Sequence, residues 1–295
     1  MGFISHFLAG GLFNRSEMNK KLDEISCALN PSWKLIAKID NTSGYSGEWV
    51  APDVFGDGSA YDLGAYMIGA GGSGSVQIEW SQRGNAGACG GASGYGNNVI
   101  FQNVAPGSVY VWVIGKKGAS VSVAAAATAS KNGNTGGTTS FAGATAPGGG
   151  GGKPGSSGGA LGGQAAGVDS NNSSYYYIME NTRLYGCVDV FGHASQSPRE
   201  GQNQFDQTMV SLCAGGSALG NAQTVSAMPD GTKGGNAAMK TNASATGGNA
   251  TGYGNGGGAA LVIFGSSENT TQYTAKSGAG SDGVIFLYAR KAVTE

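Results

Sequence analysis

Gly69-Ala70-Gly71-Gly72-Ser73-Gly74 lies between two short apolar segments, and this arrangement is typical of the whole chain. Similar runs occur at 148–152 and 256–258, and glycine makes up 56 of the 295 residues. Glycine loses more backbone entropy on folding than any other residue, roughly 0.5–1 kcal/mol relative to alanine within regular structure. A chain this rich in glycine therefore needs another source of order, and tight packing between its segments would supply one.

Composition excludes two other glycine-rich classes. Glycine follows no strict G-X-Y period and proline occurs only seven times, so the pattern is not that of a collagen triple helix. Twelve Tyr, ten Phe and four Trp residues, with recurrent Val and Ile runs, favour a folded chain over a solvated low-complexity one. The length fits one large all-β domain with a small appendage, or two domains at most.

Charge and cysteine usage exclude several functions. A net charge of −1 without a basic cluster indicates no nucleic-acid partner. Cys27, Cys89, Cys187 and Cys213 are far apart and fit thiols of a protein made in a reducing cytoplasm, with no metal site indicated. The apolar segment 1–13 lacks the basic region and cleavage site of a secretory signal. No stretch approaches the ~20 apolar residues of a membrane helix, so we expect no membrane insertion.

Residues 1–30 form a first zone, in which we predict a short helix. Ser16 is a good N-cap, and Pro31 ends the helix. Leucine at a and isoleucine at d favour three or four helices over two in a coiled coil, so the seam predicts a homotrimer or a homotetramer. An amphipathic helix lying on its own domain is the alternative. The oligomerisation seam consists of Met18, Leu22, Ile25 and Leu29.

The segment before this helix is too apolar to remain solvated around Gly10 and Gly11. We predict that it docks into a partner protein, and the alternative is that it returns to the chain's own core. Its apolar residues are Phe3, Ile4, Phe7, Leu8, Leu12 and Phe13.

From Trp33 onward the chain reads as β-structure. Residues 33–39 alternate as a half-buried strand, and short apolar segments bounded by Gly, Asn, Ser or Pro follow. We predict a mostly β fold: a connecting strand within 31–48, then a glycine-rich β-sandwich or barrel-like domain over 49–295. The glycine runs are either loops or extended polyglycine segments packed side by side. Strand candidates are 65–68, 76–80, 99–101, 109–114, 260–264 and 284–288.

Several motif matches fail when their structural context is considered. Residues 69–74 fit G-x-G-x-x-G, but a second strand follows instead of the helix that binds pyrophosphate. Pro147 and Pro154 replace residues that a phosphate loop needs, and no strand-turn-helix surrounds Ser157 in its G-x-S-x-G match. His193 reads better as a loop histidine than as a catalytic base. The sequence predicts no cofactor and no enzymatic activity.

Acidic residues give two weak alternatives. Asp53, Asp57 and Asp62 lie near glycines but lack calcium-loop spacing, and turn formation explains them better. We therefore expect no metal site. A glycosidase needs only two carboxyl groups about 5–10 Å apart, and the widely spaced candidates are Glu180, Asp189, Glu200 and Asp206. Glycan cleavage stays a minor alternative because no acid and base pair is identifiable.

The order of several segments resembles a known family. These segments are Trp49-Val-Ala-Pro52, Tyr66-Met-Ile-Gly-Ala-Gly-Gly72, Val104-Ala-Pro-Gly107, Gly136-Gly-Thr-Thr-Ser-Phe141, Ala146-Pro-Gly-Gly-Gly150 and Gly280-Ser-Asp-Gly-Val-Ile285. Over residues 49–295 the chain is similar to the glycine-rich C-terminal domains of bacteriophage tail fibre and receptor-binding proteins, including the tip adhesins of T-even-type fibres.

This resemblance implies a virion protein of the phage tail, commonly trimeric, whose loops bind a glycan or protein of the host cell surface. It also implies tail or baseplate partners for the N-terminal segment and a polyglycine lattice with exposed aromatic loops. A structural virion component without receptor binding, such as a head fibre or collar, is the alternative. The chain departs from plainer tail fibre domains by an insertion at 168–214, where glycine is rare.

Tyrosine provides rigid amphipathic area that stacks on sugars and on proteins. The receptor-binding candidates are therefore Tyr175, Tyr176, Tyr177 and Tyr185 in the insertion, with Tyr95 and Tyr253 outside it. An alternative is that the triple tyrosine is a strand with rings alternating inward and outward.

Overall fold

The computed structural model describes residues 33–292, except 81–85, 157–175, 178–185, 188–198, 203–208, 213–214, 217, 220–232 and 266–269. Within the described part, regular structure is almost entirely β-strand, with one short 3-10 helix at Asn41–Ser43. The predicted mostly β fold is confirmed. The helix, oligomerisation seam and docking segment predicted within residues 1–30 lie outside the described residues and stay predictions.

Two antiparallel four-stranded sheets pack face to face and form what we call the near end. The first sheet, in spatial order, contains β1 (Lys34–Ile39), β22 (Val284–Lys291), β3 (Tyr61–Ile68) and β6 (Gly96–Val104). The second contains β11 (Ala144–Ala146), β10 (Thr139–Phe141), β7 (Val109–Val113) and β2 (Ser46–Val50). Strand β2 runs across residues 48 and 49, where the sequence suggested a domain boundary.

The core of the near end lies between these two sheets. Leu63 and Met67 of β3 and Leu287 of β22 are buried against Trp112 of β7 and Phe141 of β10. Side chains alternate between the two faces of strand β7 in the second sheet. Tyr110 and Trp112 point inward to the core, while the three valines of this strand are exposed. The opposite face of the first sheet carries a smaller buried cluster with Tyr66, Tyr288 and the partly buried Phe286.

One four-stranded sheet and two three-stranded sheets form what we call the far end. The first contains β18 (Ala238–Thr241), β20 (Ala260–Phe264), β4 (Val76–Trp80) and β9 (Ala129–Lys131), and has parallel β18–β20 and β20–β4 pairs. The second contains β19 (Ala245–Thr246), β21 (Tyr273–Lys276) and β8 (Ser122–Ala125). The third contains β12 (Gly155–Ser156), β5 (Ala86–Ala88) and β17 (Ala218–Leu219). Two further hairpins lie within the insertion: β13 (Tyr176–Tyr177) with β14 (Gly186–Cys187), and β15 (Arg199–Gln202) with β16 (Met209–Leu212).

Glycine-rich segments connect the two ends and pack as a lattice. Segment 69–75 occupies its centre, and its backbone N–H groups donate in turn to three different neighbours. The N–H groups of residues 69, 72 and 75 donate to carbonyl groups of segment 89–95. Those of residues 70 and 73 donate to segment 132–138, and those of residues 71 and 74 donate to segment 277–283. The N···O distances are 2.8–3.2 Å. A partner that returns every third residue is what an extended helix with three residues per turn produces.

Carbonyl groups of the central segment complete the packing. They accept hydrogen bonds from Gly118, from Gly149 and Gly152, and from Gly257, which belong to three further segments. Six neighbours therefore surround segment 69–75, and the glycine runs are packed polyglycine segments, as the second of the two sequence alternatives had it. Segments 233–237 and 247–251 extend the lattice on one side through bonds such as Gly235 N to Gly256 O.

Close backbone contact is the reason for glycine in this lattice. A Cβ on Gly71 would lie 1.9 Å from the carbonyl oxygen of Asn255, and one on Gly72 would lie 2.1 Å from that of Gly150. Turn glycines have a different reason, because Gly107 and Gly143 have φ angles of 84° and 85° and link neighbouring strands. The G-x-G-x-x-G match at 69–74 is thus the centre of the lattice, where the glycines contact backbone.

Candidate functional site

Both described ends of the chain lie at the outer edge of the near end. Strand β1 runs toward the lattice, since Ile39 pairs with Ile285 next to it while Lys34 pairs with Ala289 further out. Strand β22 runs the other way, and the Arg290 guanidinium contacts Asp62 through two nitrogens and lies over the Trp33 ring. Residues preceding Trp33 therefore join the domain at the near end.

Several connections between strands occur at the far end. These connections join β4 to β5, β8 to β9, β18 to β19, and β20 to β21. Strand β12, which precedes the insertion, pairs with one edge of β5 at this end. After the insertion the chain re-enters at Gly215, whose N–H donates to Gly91 O within the lattice, and runs outward into β17 on the other edge of β5. A seven-residue segment with a rise of about 3.1 Å per residue separates the near-end sheets from the start of the far-end sheets by roughly 20 Å, and these connections lie beyond those sheets.

A buried polar cluster supports the far-end turns. The Glu79 side chain, 7% exposed, accepts a hydrogen bond from the Thr128 hydroxyl at 2.9 Å and one from the Gln77 amide at 3.3 Å. Gln77 in turn accepts from the Gly87 N–H at 3.1 Å. The turn at 126–128 is thus tied to strands β4 and β5. Sequence reasoning missed this cluster, because Gln77 and Glu79 alternate with Val76 and Ile78 like the solvent face of a strand.

The described far-end turns present small polar side chains. Ser244 and Gln272 are both exposed. Asn242 holds its turn with a φ of 52° and an Oδ1 that accepts from Gly265 N. The Ser244 hydroxyl likewise accepts from Thr274 N. Such turns offer hydroxyl and amide groups on a fixed frame, which is suited to hydrogen bonding with a polar ligand.

Tyr95 and Tyr253, two of the receptor-binding candidates, lie where the lattice meets the near end. Both are partly buried, and Tyr95 bonds Pro147 and Gly69 through its backbone. The Tyr253 hydroxyl donates to Asp40 Oδ2 at 2.8 Å and accepts from Lys38 Nζ at 2.9 Å. These contacts give Tyr253 a structural role, and its receptor role stays a prediction.

The other tyrosine candidates belong to the insertion. Tyr176 and Tyr177 form β13, which pairs with β14, and β14 lies against β6 of the near end. Their backbone therefore lies beside the first near-end sheet. In the sequence, these two residues are far from Tyr95 and Tyr253. Tyr175 and Tyr185 lie outside the described residues, as do both histidines, and their predicted roles stay predictions.

Asp40 is the centre of an acid-sensitive contact between β1 and the lattice. Burial alone would raise the pKa of this carboxyl, but hydrogen bonds from Thr42, Lys38 and Tyr253 outweigh burial and hold the pKa well below its usual value. A lowered folded-state pKa contributes stability that is present above the unfolded value near 3.9 and is lost as the pH falls through the folded value.

We expect Asp40→Asn to lower the free energy of unfolding by about 1–3 kcal/mol at pH 7. The difference between wild type and variant should stay constant from pH 7 to pH 5 and shrink below about pH 4. Urea denaturation at pH 7, 5 and 3 measures it. A difference that persists undiminished at pH 3 would show that the Asp40 charge does not stabilise this contact.

The aspartates near the β2–β3 connection accept hydrogen bonds from backbone N–H groups or pair with basic side chains. Asp53 accepts from Gly56 N and Gly58 N, and Asp57 accepts from Ser59, as expected for turn residues. Asp62 pairs with Arg290. No cluster of three or more His, Cys, Asp or Glu side chains suited to a metal ion occurs among the described residues. In the same part of the chain, no helix is long and apolar enough to cross a membrane.

Comparison with known proteins adds no relative. No protein-family model matches the chain, and no curated protein is similar to it.

Proposed function

We propose that this protein is a bacteriophage tail fibre adhesin. Its N-terminal segment attaches to other tail or baseplate proteins, and its loops bind a receptor on the host cell surface. The observation that carries the proposal is the separation of the two ends, since the chain enters at the near end and several strand connections lie across the glycine lattice at the far end. The family resemblance of residues 49–295 is consistent with it.

The lattice supports such a role physically. Its segments are held by backbone hydrogen bonds to several neighbours, so their order depends little on side chains in the loops that they connect. A rigid frame with variable connections at one end is a common arrangement for recognition surfaces. Changes in the far-end loops and in the insertion can then alter receptor choice while the frame is preserved.

The receptor chemistry that we propose is a glycan or an exposed surface protein. Exposed Thr, Ser, Asn and Gln side chains of the far-end turns supply hydrogen-bonding groups. Tyr175, Tyr176 and Tyr177 supply aromatic rings of the kind that stack on sugar faces. The backbone of Tyr176 and Tyr177 lies beside the near-end strand β6 through β14, so the insertion offers a second candidate contact region, separate from the far-end turns.

Replacement of Tyr175, Tyr176 and Tyr177 together by Ser tests this proposal. We expect binding of the fluorescently labelled full chain to host bacteria to fall at least tenfold, with the thermal unfolding midpoint unchanged. Tyr110→Phe, at a position inside the near-end core, is the control for a tyrosine change away from the insertion. Unchanged binding of the triple variant would remove these residues from the receptor site.

Failure of the wild-type chain to bind any strain that the parent phage infects would favour the alternative of a structural virion component. Release of reducing sugar ends from host polysaccharide would instead favour a surface-glycan depolymerase. Immunolabelling of virions with antibodies to the full chain would place the protein on the tail or elsewhere, whatever the receptor assay gives.

A further inference from the structure

The outward face of the second near-end sheet carries a cluster of exposed valines, where a solvated sheet face is normally polar. Val109, Val111 and Val113 of β7 are 53%, 62% and 39% exposed, and Val50 of the neighbouring strand β2 is 56% exposed. Val50 pairs directly with Val109 in the sheet, so the four side chains form one surface, which we call the valine face. Single exposed valines are ordinary, but four together indicate a covered or docking surface.

The size of the valine face favours a short segment over a folded partner. Four partly exposed valines amount to a few hundred Å², about the largest apolar patch of an ordinary monomer. A stable interface between folded proteins buries roughly 800 Å² on each side. The valine face is therefore too small to hold a second copy of this domain by itself, whereas a few apolar side chains of one segment would cover it.

We propose that the valine face binds the chain's own N-terminal docking segment, residues 3–13, before the protein is attached to its partner. The chain joins the domain at Trp33, on the outer edge of the near end, and Val50 and Val109 lie at the same outer edge of the second sheet. Nineteen residues, 14–32, connect the segment to Trp33. They span about 28 Å as a helix and more when extended, while packed sheets lie only ~10 Å apart.

Charge agrees with this occupant. Glu48 of β2 pairs with Val111 and is exposed on the same face. Among the residues of β2 and β7, it supplies the carboxylate of that face. Residues 1–15 contain no Asp or Glu but contain His6 and Arg15. An apolar segment with a basic end therefore matches an apolar face with an acidic side chain at its edge.

This inference goes beyond the proposed function because it concerns the free chain and not the receptor. Covering Phe3, Ile4, Phe7, Leu8, Leu12 and Phe13 removes them from water until attachment, when the segment exchanges the valine face for a tail protein. A segment that stayed solvated would promote association between free chains.

Photo-crosslinking tests the occupant. With p-benzoylphenylalanine in place of Phe7 in the full chain, we expect intramolecular cross-links to peptides containing Val50 or residues 109–113. Val111→Lys should reduce their yield at least fivefold, and the matched variant Val111→Ile should preserve it. Because Val111 is 62% exposed, neither change should alter the unfolding midpoint.

Glu48→Lys is a second variant that leaves all four valines in place, and we expect it to reduce the cross-link about twofold or more. Cross-links that map elsewhere in the domain, that join two chains, or that persist in both Val111→Lys and Glu48→Lys would overturn the proposal. The experiment needs no receptor, so its failure leaves the adhesin proposal to be decided by cell binding.

Discussion

Gly71→Ala should prevent this protein from folding stably, although it adds a single methyl group. Gly71 lies in the central lattice segment, where an added Cβ would be 1.9 Å from the carbonyl oxygen and 2.3 Å from the carbonyl carbon of Asn255. Real Cβ atoms do not approach backbone so closely, so either segment 69–75 or segment 255–259 must move. Both are bonded to further segments, and movement of either breaks several hydrogen bonds at once.

We expect Gly71→Ala to reduce the free energy of unfolding by at least ~3–5 kcal/mol, at or above the usual effect of overpacking a core. Gly265→Ala is the matched control, because its Cβ would meet only the side chain of Asn242, at 3.7 Å. That change should stay within about 0.5 kcal/mol of wild type. Chemical denaturation followed by circular dichroism compares the two, and equal stabilities would contradict the close-packed lattice.

Local patterns were sufficient to predict most of the described strands of five or more residues, but not the shorter ones. Val76–Trp80 and Ala260–Phe264 have the predicted bounds, and strands β3, β6 and β22 contain their predicted segments. Strands β1 and β7 are each one residue shorter than the predicted 33–39 and 109–114. Alternation or a short apolar run bounded by glycine gives a local signal of this kind. The mostly β fold follows from it without knowledge of the sheet order.

The sequence suggested a polyglycine lattice but did not show which segments are neighbours in it. Loops and packed polyglycine segments have the same composition, and the partners of each segment lie far away in the chain. Gly71 N donates to Ser281 O, more than two hundred residues later, and nothing local in either segment specifies the other. Three-dimensional packing decides this pairing. In an extended helix with three residues per turn, successive N–H groups point in three directions, and each must lie opposite a carbonyl group of a different neighbouring segment.

The candidate site was predictable only in part. An aromatic insertion is visible as a change of composition, whereas its place beside the near-end strand β6 depends on the contact of β14 with that strand. Tyr253 resembled an exposed ligand-binding tyrosine in the sequence, but its hydroxyl donates to Asp40, which follows β1 and is more than two hundred residues away in the chain. The Gln77 and Glu79 cluster gave no local signal, because a neighbouring sheet buries it.

Asp282 gives the second large effect that we expect, because its carboxylate joins the β1–β2 connection of the near end to the Lys117 backbone at the edge of the lattice. Its carboxylate is almost fully buried and accepts from Lys117 N at 2.8 Å, from Asn41 Nδ2 at 2.9 Å and more weakly from the Tyr45 hydroxyl at 3.4 Å. Burial first, and then the nearby charge of Asp282, raise the pKa of Tyr45, which keeps that hydroxyl a donor. Replacing Asp282 by Ala would leave these donors without their acceptor.

We expect Asp282→Ala to lower the free energy of unfolding by about 3 kcal/mol or more, since hydrogen bonds to charged groups contribute ~1.5–3 kcal/mol each and buried orphan donors add to the loss. Asp282→Asn keeps one acceptor oxygen and should lose roughly half as much. Asp57→Ala is the control at an exposed aspartate and should lower the urea midpoint much less than Asp282→Ala, because solvent screens its pair with Lys291 and water can replace its hydrogen bonds from Ser59. If Asp282→Ala and Asp57→Ala have the same stability in urea, the Asp282 contacts do not hold the lattice to the near-end sheets, and the order of this junction must come from backbone bonds such as Gly283 N to Gly115 O.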